Sequence, residues 1–381
     1  MPDGVAIYIV QPGDTVDSIA AAYGVNVESI IRDNQIVFPY ALALGQALFI
    51  DLGTRMPARS LRVSGYAYPF ISEWVLEQTL PYLSELPIFS YGFTPEGALV
   101  PPKLPEQWMI NMAKEYGVAP VLTLTPFDES GNFSNFLISQ VVNNQTAIDT
   151  LIGNMISVMY QKGYVGVDID FEYILREDRD AFTAFVRQVA EQMRANGFHT
   201  SIALAPKTSA EQLGVLYEGK DYRALGEIVD HALIMTYEWG YTYGPPMAVA
   251  PLNQVRRVVE YAVTEIAPEK LDLGIPNYGY DWPLPYERGV TAATTIGNVQ
   301  AVQIAILQGV AIQFDELSQS PFFTYESAGV QHEVWFEDVR SIQKKFELIK
   351  EFGLGGCGYW QIMRWWRANW RLLYKNFYVE R

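Results

Sequence analysis

Apolar positions along the chain fall into two regimes. In residues 6–51 they outline a small unit. Tyr8-Ile9-Val10 reads as a strand, and Gln11-Pro12-Gly13-Asp14 as a turn. Val16, Ile19, Ala20 and Tyr23 recur at helical spacing, with Asp14 or Thr15 placed to cap the helix and Gly24 to stop it. Val27, Ile30 and Ile31 predict a second helix with Asn34 near its end and Pro39 beyond, and Ala47-Leu48-Phe49-Ile50 predict a closing strand. The order is βααβ. Residues 52–60 read as a linker, so this unit is expected to be separable from the rest of the chain.

From residue 61 to 381 the pattern changes to apolar strands alternating with amphipathic helices. Strands are expected at Arg62–Tyr68, Leu86–Phe93, Ala119–Leu124, Val165–Phe171, Thr200–Ala205, Ala232–Thr236, Leu271–Pro276 and Gly355–Trp360. Of the helices between them, Arg179–Arg194 carries Phe182, Phe185, Val186, Val189 and Met193 on one face. Eight strands with interposed helices predict an α/β chain folded as a (β/α)8 TIM barrel. An open doubly wound sheet would want a glycine-rich phosphate turn, and none follows an early strand. About residues 283–340, between the seventh and eighth strands, are too long for one helix. They read as a small α+β insertion.

Composition narrows the chemistry. Forty-three acidic against 27 basic residues give a net charge of −16, the opposite of a nucleic-acid-binding footprint. No apolar run reaches membrane-spanning length, so no membrane partner is expected. The start, MPDGVAIYIV, shows no Sec-type leader pattern. One cysteine rules out a disulfide framework, and three histidines scattered through the chain make a His-rich metal site unexpected. The reading is of a monomer without metal or organic cofactor. Its aromatic share of 14% suits stacking on flat ligand faces.

The most informative stretch is Gly163–Tyr173. Side chains on a strand alternate, so Asp168, Asp170 and Glu172 share one face while Ile169 and Phe171 take the other. Alternation also describes a half-solvated strand. Here the apolar flanks and the fourth place of eight argue that the carboxylates line the barrel interior. Glu172, at the carboxy-terminal end, would emerge where barrel enzymes place their chemistry, with its pKa raised for proton donation.

This stretch resembles the D-x-x-D-x-D-x-E signature of family 18 glycoside hydrolases, the chitinase-type barrels, except that Val165 stands where the first Asp would be. With one carboxylate fewer, Asp168 is expected to ionise more readily. Met235-Thr236-Tyr237 is similar to the M-x-Y of that family's sixth strand, with Glu238 in place of the commoner Asp. Gly274–Trp282 resembles its seventh strand and following loop, and Gly358-Tyr359-Trp360 its eighth strand. The first unit resembles a LysM module, carried by Tyr8, Val10, Gly13-Asp14-Thr15, Tyr23-Gly24-Val25, Asn34, Pro39 and Gly45-Gln46. Together they resemble the spore cortex-lytic N-acetylglucosaminidases, the SleL/YaaH-like group, whose members often carry two LysM modules.

The resemblance implies a peptidoglycan hydrolase with N-acetylglucosaminidase activity and a retaining, substrate-assisted mechanism. Its partner would be an N-acetylglucosamine-containing glycan, cortex or chitin. Its location would be the spore coat, cortex or cell wall. Glu172 would be the general acid/base, Asp170 would orient the acetamido group, Asp168 would set the state of Asp170, and Tyr237 would support the acetamido oxygen. Trp360, Tyr66, Tyr68, Met235, Glu238, Trp239 and Asn277 would bind substrate, although Tyr66 and Tyr68 fit core packing equally well. A chitinase of the same mechanism and a non-catalytic, lectin-like glycan binder are the alternatives. Retention of Glu172 speaks against the second.

Overall fold

The computed structural model describes residues 4–54, 57, 59–127 and 131–381; residues 55, 56 and 58 of the expected linker lie outside that set. Strands β1 (Val5–Ile9) and β2 (Ala47–Asp51) pair antiparallel around the helices Val16–Tyr23 and Val27–Asp33. Thr15, not Asp14, caps the first helix: its hydroxyl and that of Ser18 exchange bonds with each other's backbone amides, both at 3.0 Å. Asp14 instead accepts the Tyr8 hydroxyl at 2.7 Å and so ties the turn to β1.

The barrel strands follow as β3 (Ser60–Gly65), β4 (Glu85–Phe93), β6 (Ala119–Leu124), β7 (Gly166–Ile169), β8 (His199–Leu204), β9 (His231–Ile234) and β10 (Leu271–Pro276), with β5 (Leu99–Val100) an antiparallel flap on β4. Next come β11 (Gly279–Leu284), β12 (Thr294–Ile296), β13 (Gln313–Asp315), β14 (Ser320–Ser327) and β15 (Val330–Trp335), and then β16 (Gly356–Trp360), which pairs in parallel with both β10 and β3. The parallel β3–β4 pairing closes the ring of eight, so the TIM barrel is the fold. Strand β17 (Tyr378–Val379) pairs in parallel with Ser60 and Leu61 at the start of β3. The insertion is a five-stranded antiparallel sheet, in the order β12-β11-β15-β14-β13, with the helix Asn298–Gln308. It begins at Gly279, earlier than expected, because only Asn277 and Tyr278 separate β10 from β11.

The small unit does not hang from a linker. Val5 and Phe49 belong to the same buried core as barrel residues Leu61, Leu372 and Leu373. Asp33 pairs with Arg367 at 2.8 Å, and Asp51 pairs with Arg371 and the buried Lys375, each at 2.5 Å. Gln35 accepts the backbone amide of Arg367 at 2.6 Å. This corrects the expectation of a removable unit. Its deletion would strip partners from the barrel's last helix, Arg367–Asn376. No described helix is long and apolar enough to cross a membrane.

Candidate active site

Strand β7 stops at Ile169 because the ladder ends there; Asp170 keeps one bond, from its amide to Leu124 O at 3.0 Å. The chain beyond is free to lift Asp170 and Glu172 into the mouth of the barrel. Asp168, 1% exposed, accepts Ser201 Oγ at 2.7 Å and the Tyr66 hydroxyl at 2.9 Å. Burial pushes its carboxyl up, and these two donors pull against that. Asp170 is pushed much further up by burial, then by the charges of Glu172 and Asp168, and its Oδ1 has no partner. Burial also raises Glu172. Asp170 and Glu172 titrate together, and each charge holds a proton on the other more firmly.

Lys220 opposes both upper carboxyls. It is fully buried, its ammonium is unpartnered, and burial brings it down to about 8 against the pull of Glu172 and Asp170. Close packing of Gly219 on the Ile174 backbone holds this lysine beside the Glu172 segment; a Cβ at 219 would fall 2.4 Å from Ile174 O. Tyr237 is held neutral by burial and the neighbouring carboxylates. Its ring uses the space left by Gly274, where a Cβ would come within 2.8 Å.

Above these groups lies a cleft of about 570 Å³, lined by Tyr66, Tyr68, Met235, Tyr237, Glu238 and Trp360 together with Asp170 and Glu172. Trp360 forms its floor, with ring centroids 5.0 Å from Phe89, 5.8 Å from Tyr66 and 6.0 Å from Tyr68. Glu238 sits in the left-handed backbone region, φ 66°, and accepts the hydroxyls of Tyr278 and Tyr280, the latter at 3.0 Å.

Two expected substrate residues are elsewhere. Trp239 packs against the barrel core, and Asn277 is 1% exposed. Asn277 donates to the carbonyls of Gln361 and Arg364, both at 3.0 Å, and takes the Trp360 carbonyl on its own amide. It fastens the loop behind Trp360 and does not reach the cleft. Val165 is also displaced from its expected role. An odd position in a strand whose even positions face inward, it is 37% exposed at the outside of the barrel. The Asp168 carboxyl itself is raised, with burial the largest cause. Below Asp168 the interior is occupied by Glu85 and His231, which do act on its charge. Ser201, Lys220, Phe89, Phe127 and Tyr241 went unforeseen. Only Ser201 carried a signal, as an inward-parity hydroxyl on the strand next to the carboxylates.

The Glycosyl hydrolases family 18 profile matches residues 129–364, and the LysM domain profile matches residues 8–51. The cortical fragment-lytic enzyme of Bacillus subtilis (strain 168) is 39% identical over 426 aligned residues, which cover 98% of this chain and 98% of that one. The fold also superposes on crystal structures of the spore cortex-lytic enzyme SleL. For the Bacillus cereus protein the identity is 33% over 99% of each chain, with a TM-score of 0.94. For Bacillus megaterium QM B1551 it is 32% over 99% of each chain, with a TM-score of 0.93.

Proposed function

Because the chain belongs to family 18 of the glycosyl hydrolases and carries a LysM domain ahead of its barrel, we propose that it hydrolyses spore-cortex peptidoglycan as an N-acetylglucosaminidase, with net retention. Glu172 protonates the glycosidic oxygen while the acetamido oxygen of the departing residue's neighbour sugar attacks its own anomeric carbon. The glycosidic bond breaks as the oxazolinium ring forms. Water then opens that ring, giving up its proton to Glu172. Asp170 accepts the acetamido N–H and balances the charge that grows on the ring, while the charge of Asp168 sets the protonation state of Asp170. The neutral Tyr237 hydroxyl donates to the acetamido group, and Trp360 supports the sugar face. The first 51 residues hold the same glycan by shape and hydrogen bonds, since they carry an excess of acids. The protein would accordingly reside at the cortex or spore wall and act as a monomer.

One observation carries this reading. Asp170 is 5% exposed, its Oδ1 is unpartnered, and it stands between two further carboxyls on the floor of an aromatic cleft. An orphaned buried acceptor costs free energy unless a ligand donor satisfies it, and a 2-acetamido sugar supplies one. The test is to digest purified cortex fragments and chitin oligomers in parallel, then identify the new reducing end by mass spectrometry and its first anomer by NMR. Cortex products ending in N-acetylglucosamine with the β-configuration are expected. Muramic reducing ends, or an inverted anomer, would overturn the mechanism. Chitin cleaved in preference to cortex would make the protein a chitinase.

A further inference from the structure

The end of the barrel opposite the cleft gathers another set of reactive side chains. Glu85, His199 and His231 are the first residues of β4, β8 and β9, so side chains scattered in sequence converge under the barrel. One nitrogen or oxygen from each lies within 4.8 Å of the others. Glu85 Oε1 is 3.4 Å from His199 Nε2 and 3.3 Å from His231 Nε2. Zinc bonded to imidazole and carboxylate at about 2.0–2.1 Å has tetrahedral edges of about 3.3–3.4 Å, the same spacing. Both Nε2 atoms are buried without a hydrogen bond. Each lies near the Glu85 oxygen without meeting hydrogen-bond geometry to it.

Each of the three is oriented from behind. His231 Nδ1 contacts Asp272 Oδ2 at 2.7 Å, and Arg62 fixes that carboxylate at 2.6 Å. Ser64 donates to the other oxygen of Glu85 at 3.1 Å, leaving Oε1 turned inward. His199 lies over Gly166, where a Cβ would come within 2.3 Å of the ring, so only glycine makes room for it. A carboxylate behind a metal-ligating imidazole is the usual supporting arrangement. Arg62 is bonded to Asp272 and not to Glu85, whose Oε1 faces the two imidazoles. The His199 side chain is 25% exposed, which brings the cluster within reach of solvent although Nε2 itself is buried.

We propose that Glu85, His199 and His231 bind one divalent transition-metal ion of the zinc class at the closed end of the barrel. The ion joins three strands that meet only through the fold and lies apart from the cleft. The proposal does not depend on the reaction assigned to the cleft.

The full chain, stripped with chelator, would be titrated with Zn²⁺ by calorimetry and with Co²⁺ by visible absorption. One equivalent bound at micromolar or tighter affinity, intense tetrahedral cobalt bands and a raised thermal midpoint are expected. His199→Gln and His231→Gln, each checked for fold by circular dichroism, should weaken binding at least tenfold and erase the bands. Asp272→Asn should weaken it by about 10–100-fold. Absence of stoichiometric binding to the folded wild type would overturn the proposal, as would weak octahedral cobalt bands. Binding that both histidine variants leave unchanged would place the ion elsewhere and overturn it too. If a variant fails to fold, the wild-type cobalt spectrum decides.

Discussion

At the scale of single residues, the site divides into groups that react and groups that set their charge. Glu172→Gln keeps the shape of the donor and removes its proton, so kcat should fall by about 10²–10⁴-fold with glycan affinity retained, as measured by steady-state kinetics beside binding calorimetry. Retention of a tenth of the activity would assign the acid elsewhere. Lys220 acts in the other direction. Its ammonium draws the Glu172 pKa down, so Lys220→Met should let it rise, and the alkaline limb of kcat/KM should move to higher pH. A buried lysine whose folded pKa, about 8, lies below its unfolded value disfavours folding at pH 7, where it is charged. The thermal midpoint of the variant at pH 7 should therefore not drop. An unmoved limb would deny Lys220 its part. Val165→Asp should do almost nothing, within about 0.5 kcal/mol by urea denaturation and with an unchanged acid limb, because the new carboxyl meets water. The carboxylate face was legible in the D-x-D-x-E spacing, since strand parity alone assigns it. Parity also puts position 165 outside, opposite in sense to what the motif likeness implies. Lys220 could not have been read: its loop has no periodicity, and only packing of Gly219 on Ile174 brings it in.

Among elements, the strands and helices were legible wherever apolar spacing dominated. All eight barrel strands fall within a few residues of expectation, and the helix Arg179–Ala195 buries the face foreseen for it. Strand ends were overrun where inward-facing side chains continue past the last ladder bond, as at Asp170 and Glu172. Contacts between elements far apart in the chain carry no such signature, and the seat of the LysM unit is made of them. Asp51 joins β2 to the helix Arg367–Asn376 through Arg371 and Lys375, and Lys375 is 2% exposed. Asp51→Ala leaves that ammonium buried without a counter-charge, its remaining partner the Thr54 carbonyl at 2.7 Å, so a loss of about 3 kcal/mol is expected in chemical denaturation. Burial tends to raise the Asp51 carboxyl, but bonds from Lys375, the Gly53 amide and Arg371 hold it below the ordinary range. A depressed carboxylate stabilises the fold above its unfolded pKa and stops doing so as pH falls through its folded value. The seat should thus loosen below about pH 4 in the wild type, and Asp51→Ala should flatten that part of the stability curve. A variant as stable as the parent at pH 7 would show that the pair does not hold the unit.

For the whole molecule, the barrel class and the glycan-directed ends of the chain were visible in sequence, whereas the way the two parts are joined was not. The stretch between β2 and β3 reads as a tether by length and composition. In space, a common core and three ion pairs lock its flanks. A tether would let the cleft sweep the neighbourhood of its anchor. A fixed seat removes that search: the angle between the anchored strand and the strand being cut is set once, by the protein, and every remaining degree of freedom belongs to the polymer. Short, rotatable fragments can align with both parts at once, while strands held in a cross-linked mesh mostly cannot. Equal masses of sonicated fragments and intact cortex should accordingly be digested at very different initial rates, the fragments faster. Loosening the seat with Asp51→Ala, at a temperature where the variant stays folded, should narrow that gap. The protein would then be selective for the looseness of its substrate, a property of the wall's state of repair and not of any sugar within it.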